Sequence, residues 1–122
     1  MRVIDAAFAA RFAAEWIEAW NAHDLERVLV HYADDFEMAS PLIAQLMGEP
    51  SGVLRGKARI RAYWEKALGL LPNLHFELLD VLVGAASVTI LYRGHRGLSA
   101  EVFWFDEAGA VVSAAAHYTA SA

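Results

Sequence analysis

Apolar and polar positions along the chain follow two periods in turn, about four residues in its first half and two in its second. Phe8, Phe12, Trp16 and Trp20 recur every four residues, and Asp5 stands where a cap belongs. This predicts a helix from Asp5 to about Trp20 carrying one aromatic stripe, with Arg11, Glu15 and Glu18 away from its centre. At Phe8 and Phe12 the stripe should pack on a sheet. Trp16 and Trp20 each carry an N–H that needs a partner when buried, and they suit a sheet contact or a cavity wall equally. Asn21-Ala22-His23-Asp24 breaks the helix. Asp24 then caps a second one, Leu25 to about Tyr32, with Leu25, Val28, Leu29 and Tyr32 inward. Phe36 to Ser40 alternates as a strand, with Phe36, Met38 and Ser40 on one face and Pro41 ending it. Leu42 to Leu54, with Gly48, Pro50 and Gly52, reads as an irregular loop of the kind that often frames a site. From Lys57 to about Leu70 the helical pattern returns through Ile60, Tyr63, Trp64, Ala67 and Leu68, stopped by Gly69 and Pro72.

The rest is strand-like. His75–Val83 and Ser87–Arg93 form two strands, with Val88, Ile90 and Tyr92 alternating with Thr89, Leu91 and Arg93. Gly94-His95-Arg96-Gly97 turns into a hairpin from Leu98 to Thr119, built around Asp106-Glu107-Ala108-Gly109. Its first arm places Glu101, Phe103 and Phe105 on one face, and its second places Ala114, Ala116 and Tyr118 on one face. Small residues beside large ones leave a gap, and Glu101 stands at its edge. Three helices, interrupted by one strand and followed by a run of antiparallel strands, define an α+β domain in which a curved sheet wraps around helices.

Composition sharpens this picture. At 122 residues the chain fits one domain, residues 1–122. An apolar fraction of 57%, with four Trp, four Tyr and six Phe, exceeds what a core needs and points to an internal pocket, an oligomer interface or both. A net charge of −5 argues against a nucleic-acid partner. The absence of cysteine excludes disulfides, a thiolate nucleophile and thiolate metal sites. Asp5, Arg11 and Glu15 interrupt any apolar leader, and no apolar run would span a bilayer. The expectation is a soluble, cytoplasmic protein with no membrane partner.

Glu101 is the leading candidate for chemistry. Inward burial among Phe103, Phe105 and Tyr118 would raise its pKa and leave it an acid that donates to a ligand carbonyl, or a general base once ionised. The alternative is a carboxyl held by Trp16, Tyr32 or Ser40 with no chemical role. Ser40 offers a hydroxyl anchor or is simply a small residue before a proline. Tyr32, Tyr63, Tyr92 and Tyr118 are candidate donors that serve equally as core. His117 alternates outward, towards a subunit interface, and His95 falls at surface or pocket rim. His31 and Asp35 are four apart without a third ligand nearby, so they read as solvated surface rather than a metal site. Arg55, Lys57, Arg59 and Arg61 read as a solvated basic face, with an anion at the pocket mouth as the alternative. No nucleotide fingerprint or phosphate loop is present, and neither a metal nor a cofactor is implied.

Four stretches carry a family resemblance: W-N-A-H-D-L-E-R-V at the first helix break, A-D-D-F-E before the first strand, S-G-V-L-R-G-K-A-R-I-R-A-Y-W into the third helix and V-F-W-F-D-E-A-G-A-V-V-S at the last hairpin. In order and spacing the chain resembles the nuclear transport factor 2-like superfamily, and within it the ketosteroid isomerase and SnoaL-like polyketide cyclase group. The resemblance implies a cystatin-like roll: a cone-shaped, curved antiparallel sheet wrapped around three N-terminal helices, with a deep apolar pocket and a homodimer formed through the sheet. It also implies positions for the isomerase's groups. That enzyme's Asp base falls on Ser40, its helix Tyr on Trp16, its protonated Asp on Glu101 and a supporting Tyr on Trp64 beside Tyr63, while Tyr32 matches an aromatic position. A serine hydroxyl is far too weak a base to shuttle a proton between carbons, and an indole N–H donates but does not ionise. Ordinary steroid isomerisation is therefore not expected.

The expected function is a pocket for a small, hydrophobic, cyclic molecule, with Glu101 and Ser40 as the polar working groups. Trp16, Trp20, Tyr32, Phe36, Met38, Tyr63, Trp64, Tyr92, Phe103, Phe105, Ala116 and Tyr118 would surround the ligand. Proton transfer of isomerase or cyclase type is one outcome, and a non-catalytic binding or dimerisation module is the other.

Overall fold

The structure, a computed structural model, describes residues 4–120; positions 1–3 and 121–122 of the expected domain lie outside them. Helix α1 spans Ala6–Asn21, and Asp5 caps it by accepting from the Phe8 N–H at 2.7 Å. Ala9, Phe12, Ala13, Trp16, Ala19 and Trp20 form its buried face. Helix α2 spans Leu25–Leu29 under an Asp24 cap. It stops three residues short of the expected Tyr32, because the His31 carbonyl accepts from the Val111 N–H at 2.8 Å and draws the chain into a sheet. Strand β1 accordingly runs Tyr32–Ala39, with Tyr32, Phe36 and Met38 inward.

The expected irregular stretch after Pro41 is corrected by the structure. Helix α3 occupies Pro41–Met47, and strand β2, Val53–Arg55, pairs antiparallel with β1. Ser40 is the α3 cap and Pro41 its first residue, so the proline starts a helix as well as ending a strand. Gly52 closes this segment at φ 72°; a Cβ there would lie 3.1 Å from the Ser40 carbonyl oxygen. Helix α4, Lys57–Leu70, coincides with the expected span and packs Ile60, Tyr63 and Trp64 inward. There are thus four helices among the described residues rather than three.

Strands β3 (Glu77–Val83), β4 (Ser87–Gly94), β5 (Gly97–Phe105) and β6 (Val111–Tyr118) follow as a meander. The six-stranded sheet is curved and unclosed, in the order β2-β1-β6-β5-β4-β3. It is not wholly antiparallel as expected, since β1 and β6 pair in parallel. The helices between β1 and the meander supply the long crossover that such a pair requires. Register places Leu54, Met38, Ala114, Phe103, Val88 and Val83 in one row across all six strands, and Ala116, Glu101, Ile90 and Val81 in another. α1 lies across this inner face. Phe12 meets Phe103 and Phe105 edge-on at 4.8 and 5.0 Å, and Trp16 meets Phe103 at 5.3 Å. The aromatic stripe therefore packs on the sheet as its spacing predicts.

Candidate functional site

The core opens near the β4–β5 turn, where Asn21 sets the geometry. Its side-chain amide donates to the Phe76 carbonyl at 2.9 Å and accepts from the Phe76 N–H at 2.7 Å. His23 Nε2 lies 2.8 Å from the Leu74 carbonyl. These bonds fasten the segment before β3 to the end of α1 and bring Phe76 onto Trp16, stacked at 5.6 Å. Trp20, Trp64 and Tyr92 complete an aromatic cage, with Trp20–Trp64 at 5.1 Å and Phe76–Tyr92 at 4.6 Å.

Beside this cage lies a cavity of about 50 Å³, room for a few water molecules. Of the residues singled out from sequence, Trp16, Trp20, Met38, Tyr63, Trp64, Tyr92, Glu101 and Tyr118 line it. Tyr32, Phe36, Phe103 and Ala116 are buried in the layer behind, and Phe105 packs against Phe8 and Phe12 away from the opening. Ser40 is buried but does not line the cavity. Its Oγ accepts from the Leu42 N–H at 3.2 Å and from the Tyr63 hydroxyl at 3.3 Å. It serves as a helix cap and an anchor for a tyrosine, with nothing to make it a base.

Glu101 is 5% exposed and sits between Ile90 and Ala116 on the inner face. The Tyr92 hydroxyl donates to its Oε1 at 3.3 Å. Its hydrogen-bond partner is thus Tyr92 rather than Trp16, Tyr32 or Ser40. No cation offsets its burial, which pushes its pKa up to about 8, while the Tyr92 bond opposes the shift. At neutral pH it is chiefly a carboxylic acid. Burial also raises the pKa of Tyr63 to about 12 and shifts Tyr32, Tyr92 and Tyr118 upward, so all four phenols stay neutral. Three of their hydroxyls are engaged: Tyr32 accepts from Trp16 Nε1 at 3.0 Å, Tyr92 donates to Glu101 and Tyr63 donates to Ser40. The Trp20 N–H is different, being buried with no partner among the described residues.

Sequence reasoning missed Leu42, Leu71, Leu74, Phe76, Arg96 and Ser99 as cavity residues, and placed His95 only at a possible rim. Leu42 was hidden because α3 was not foreseen. Phe76 arrives through the Asn21 contacts, across 55 residues. His31 is half-buried rather than solvated: its ring meets Phe12 edge-on at 5.4 Å, its Nε2 is buried without a partner among the described residues, and desolvation lowers its pKa. No group of three or more potential metal ligands occurs among the described residues. The basic run before and along α4 is largely paired: Arg55 with Glu37, Lys57 with Asp34 at 3.6 Å, and Arg61 with Glu26 and Glu65. That is the solvated face its spacing suggests. No helix among the described residues is long and apolar enough to cross a membrane.

A curved, unclosed sheet with helices packed on its inner face is the architecture of the nuclear transport factor 2-like roll. The SnoaL-like domain model matches residues 13–120, and the chain belongs to that family. A SnoaL-like protein of unknown function from Burkholderia thailandensis shares 55% identity over 97% of this chain and 99% of its own, with a TM-score of 0.93. More distant folds include an NTF2-like protein of unknown function from Cytophaga hutchinsonii, at 12% identity, 98% and 93% coverage and a TM-score of 0.69. IdmH, a candidate polyketide cyclase from Streptomyces antibioticus, aligns at 18% identity, 89% and 90% coverage and a TM-score of 0.72. Among curated proteins, none matches the chain.

Proposed function

We propose that this SnoaL-like protein receives a small, apolar, cyclic molecule beside its aromatic cage and engages an oxygen of that molecule through protonated Glu101. The observation carrying this reading is one carboxyl, buried without a cation and bonded by Tyr92, in the wall of the cavity. A neutral carboxylic acid donates a hydrogen bond to a carbonyl or enol oxygen and can release its proton as charge develops there. Proton transfer of isomerase or cyclase type fits this arrangement, with Glu101 as the working acid and its conjugate base. Steroid isomerisation does not fit, because Ser40 is committed as a cap and Trp16 donates to Tyr32. The limited volume admits a small ring or one end of a larger molecule.

The test is a tryptophan-fluorescence titration with phenols, steroids and polyketide-like aromatics, followed by a search for turnover. Wild type should bind saturably, and Glu101→Gln, which keeps a donor but loses the proton, should bind yet fail to turn over. A folded protein that answers no ligand would instead favour an interaction module whose cavity is filled by its own rings. We also propose a homodimer formed through the outer face of the sheet. Leu82, Thr89, Val102 and Ala115 lie in register there, and Leu98 and Trp104 are 50% and 42% exposed on the same strands.

A further inference from the structure

We infer that the occupant of the cavity is a small organic monoanion, its carboxylate held by Arg96 at the opening and its apolar body set against the Trp16, Trp20 and Trp64 rings. The inference rests on the cavity being a ligand site and adds the charge of the ligand.

Arg96 belongs to the two-residue loop between β4 and β5 and lines the cavity with Glu101. Its guanidinium lies 5.2 Å from the centre of the Tyr118 ring, and no carboxylate among the described residues pairs with it. Of the other described arginines, Arg27, Arg55, Arg61 and Arg93 each have an acidic partner, and Arg11 and Arg59, which do not, lie away from the cavity. A guanidinium left over an aromatic face beside an opening is available for a planar anion, which it can hold with two parallel hydrogen bonds.

The remaining polarity of the wall points the same way. Tyr63, Tyr92 and Tyr118 are neutral, and Tyr63 and Tyr92 spend their hydroxyl protons on Ser40 and Glu101. His95 is shifted towards its neutral form by burial and by Arg96. Glu101 is protonated below about 8. Arg96 is therefore the charged side chain of the wall at neutral pH. The free donors along the wall include the Arg96 fork, the Glu101 acid and the unpartnered Trp20 N–H. One positive charge beside these donors is matched by a ligand that carries one negative charge on acceptor oxygens.

The experiment is calorimetric titration of benzoate and its neutral counterpart benzamide into wild type and Arg96→Gln. Wild type should bind benzoate about tenfold more tightly than benzamide. Arg96→Gln should lose that preference while keeping its affinity for benzamide. In wild type, added salt should weaken benzoate and leave benzamide unchanged, a readout that needs no variant. Benzamide binding as well as or better than benzoate, or a preference that survives in Arg96→Gln, overturns the monoanion and leaves the pocket standing. Failure of both ligands to bind wild type overturns the monoanion together with the pocket.

Discussion

Glu101 is the residue whose environment departs furthest from solution. Its carboxyl keeps its proton in the folded state to about pH 8, against an ordinary value of 4.5. The folded protein thus binds more protons than the unfolded chain between those values, and stability must fall as pH rises through them. A shift of that size corresponds to on the order of 5 kcal/mol. Thermal unfolding of wild type should therefore occur at progressively lower temperature from pH 5 to pH 9. Glu101→Gln should lose most of this slope and be the more stable protein at pH 9. Equal slopes in the two proteins would mean that the carboxyl is already ionised when folded. His31 contributes with the opposite sign. Its lowered pKa favours the unfolded state as pH falls below 6.5, so its effect lies on the acid side and leaves the alkaline slope to Glu101.

At the scale of elements, the β4–β5 and β5–β6 hairpins were legible from the sequence and the β1–α4 connection was not. Alternation alone puts Glu101, Phe103 and Phe105 on one face, and the packing of Phe12 on Phe103 and Phe105 makes that face the inner one. The Gly94–Gly97 turn fixes more than was read from it. Counting back from the Arg93–Leu98 pair sets Glu101 opposite Ile90 and Tyr92 opposite Ser99, which brings Tyr92 diagonally to Glu101. The phenol that bonds the acid was thus within reach of the pattern. Helix α3 escaped because seven residues give too little periodicity to see, although Ser40-Pro41 has the form of a cap followed by a first-turn proline. The cap is testable. Ser40→Ala removes the acceptor for the Leu42 N–H and for the Tyr63 hydroxyl, and should lower unfolding free energy by about 1–2 kcal/mol in urea. No loss on substitution would mean that α3 stands without its cap.

For the whole molecule, the division of labour follows the two faces of one sheet. The inner face is closed by α1 and α4 around the cavity, and its small residues, Ala114 and Ala116, leave the room that Phe103 and Glu101 use. The outer face keeps Leu82, Leu98, Trp104 and Val112 partly exposed. A monomer gains nothing from that exposure, whereas a second copy would cover it. Light scattering should report a dimer for wild type and a monomer for Trp104→Asp with the fold intact. A wild-type monomer at all concentrations would remove the sheet face as an interface. The architecture was readable because an order of elements constrains a fold strongly. The cavity's true extent was not, since Phe76, Leu42 and Arg96 reach it through tertiary contacts and a turn that no single periodicity encodes.

The account turns on the protonation state of Glu101, and a carbon-13 NMR titration of its side-chain carboxyl measures that state directly. With Glu101→Gln used to assign the resonance, the carboxyl should titrate with a midpoint near 8, and Tyr92→Phe should move the midpoint higher by removing the bond that favours the charged form. A midpoint below 5 in wild type would show an ordinary ionised carboxylate and contradict the acid-bearing pocket.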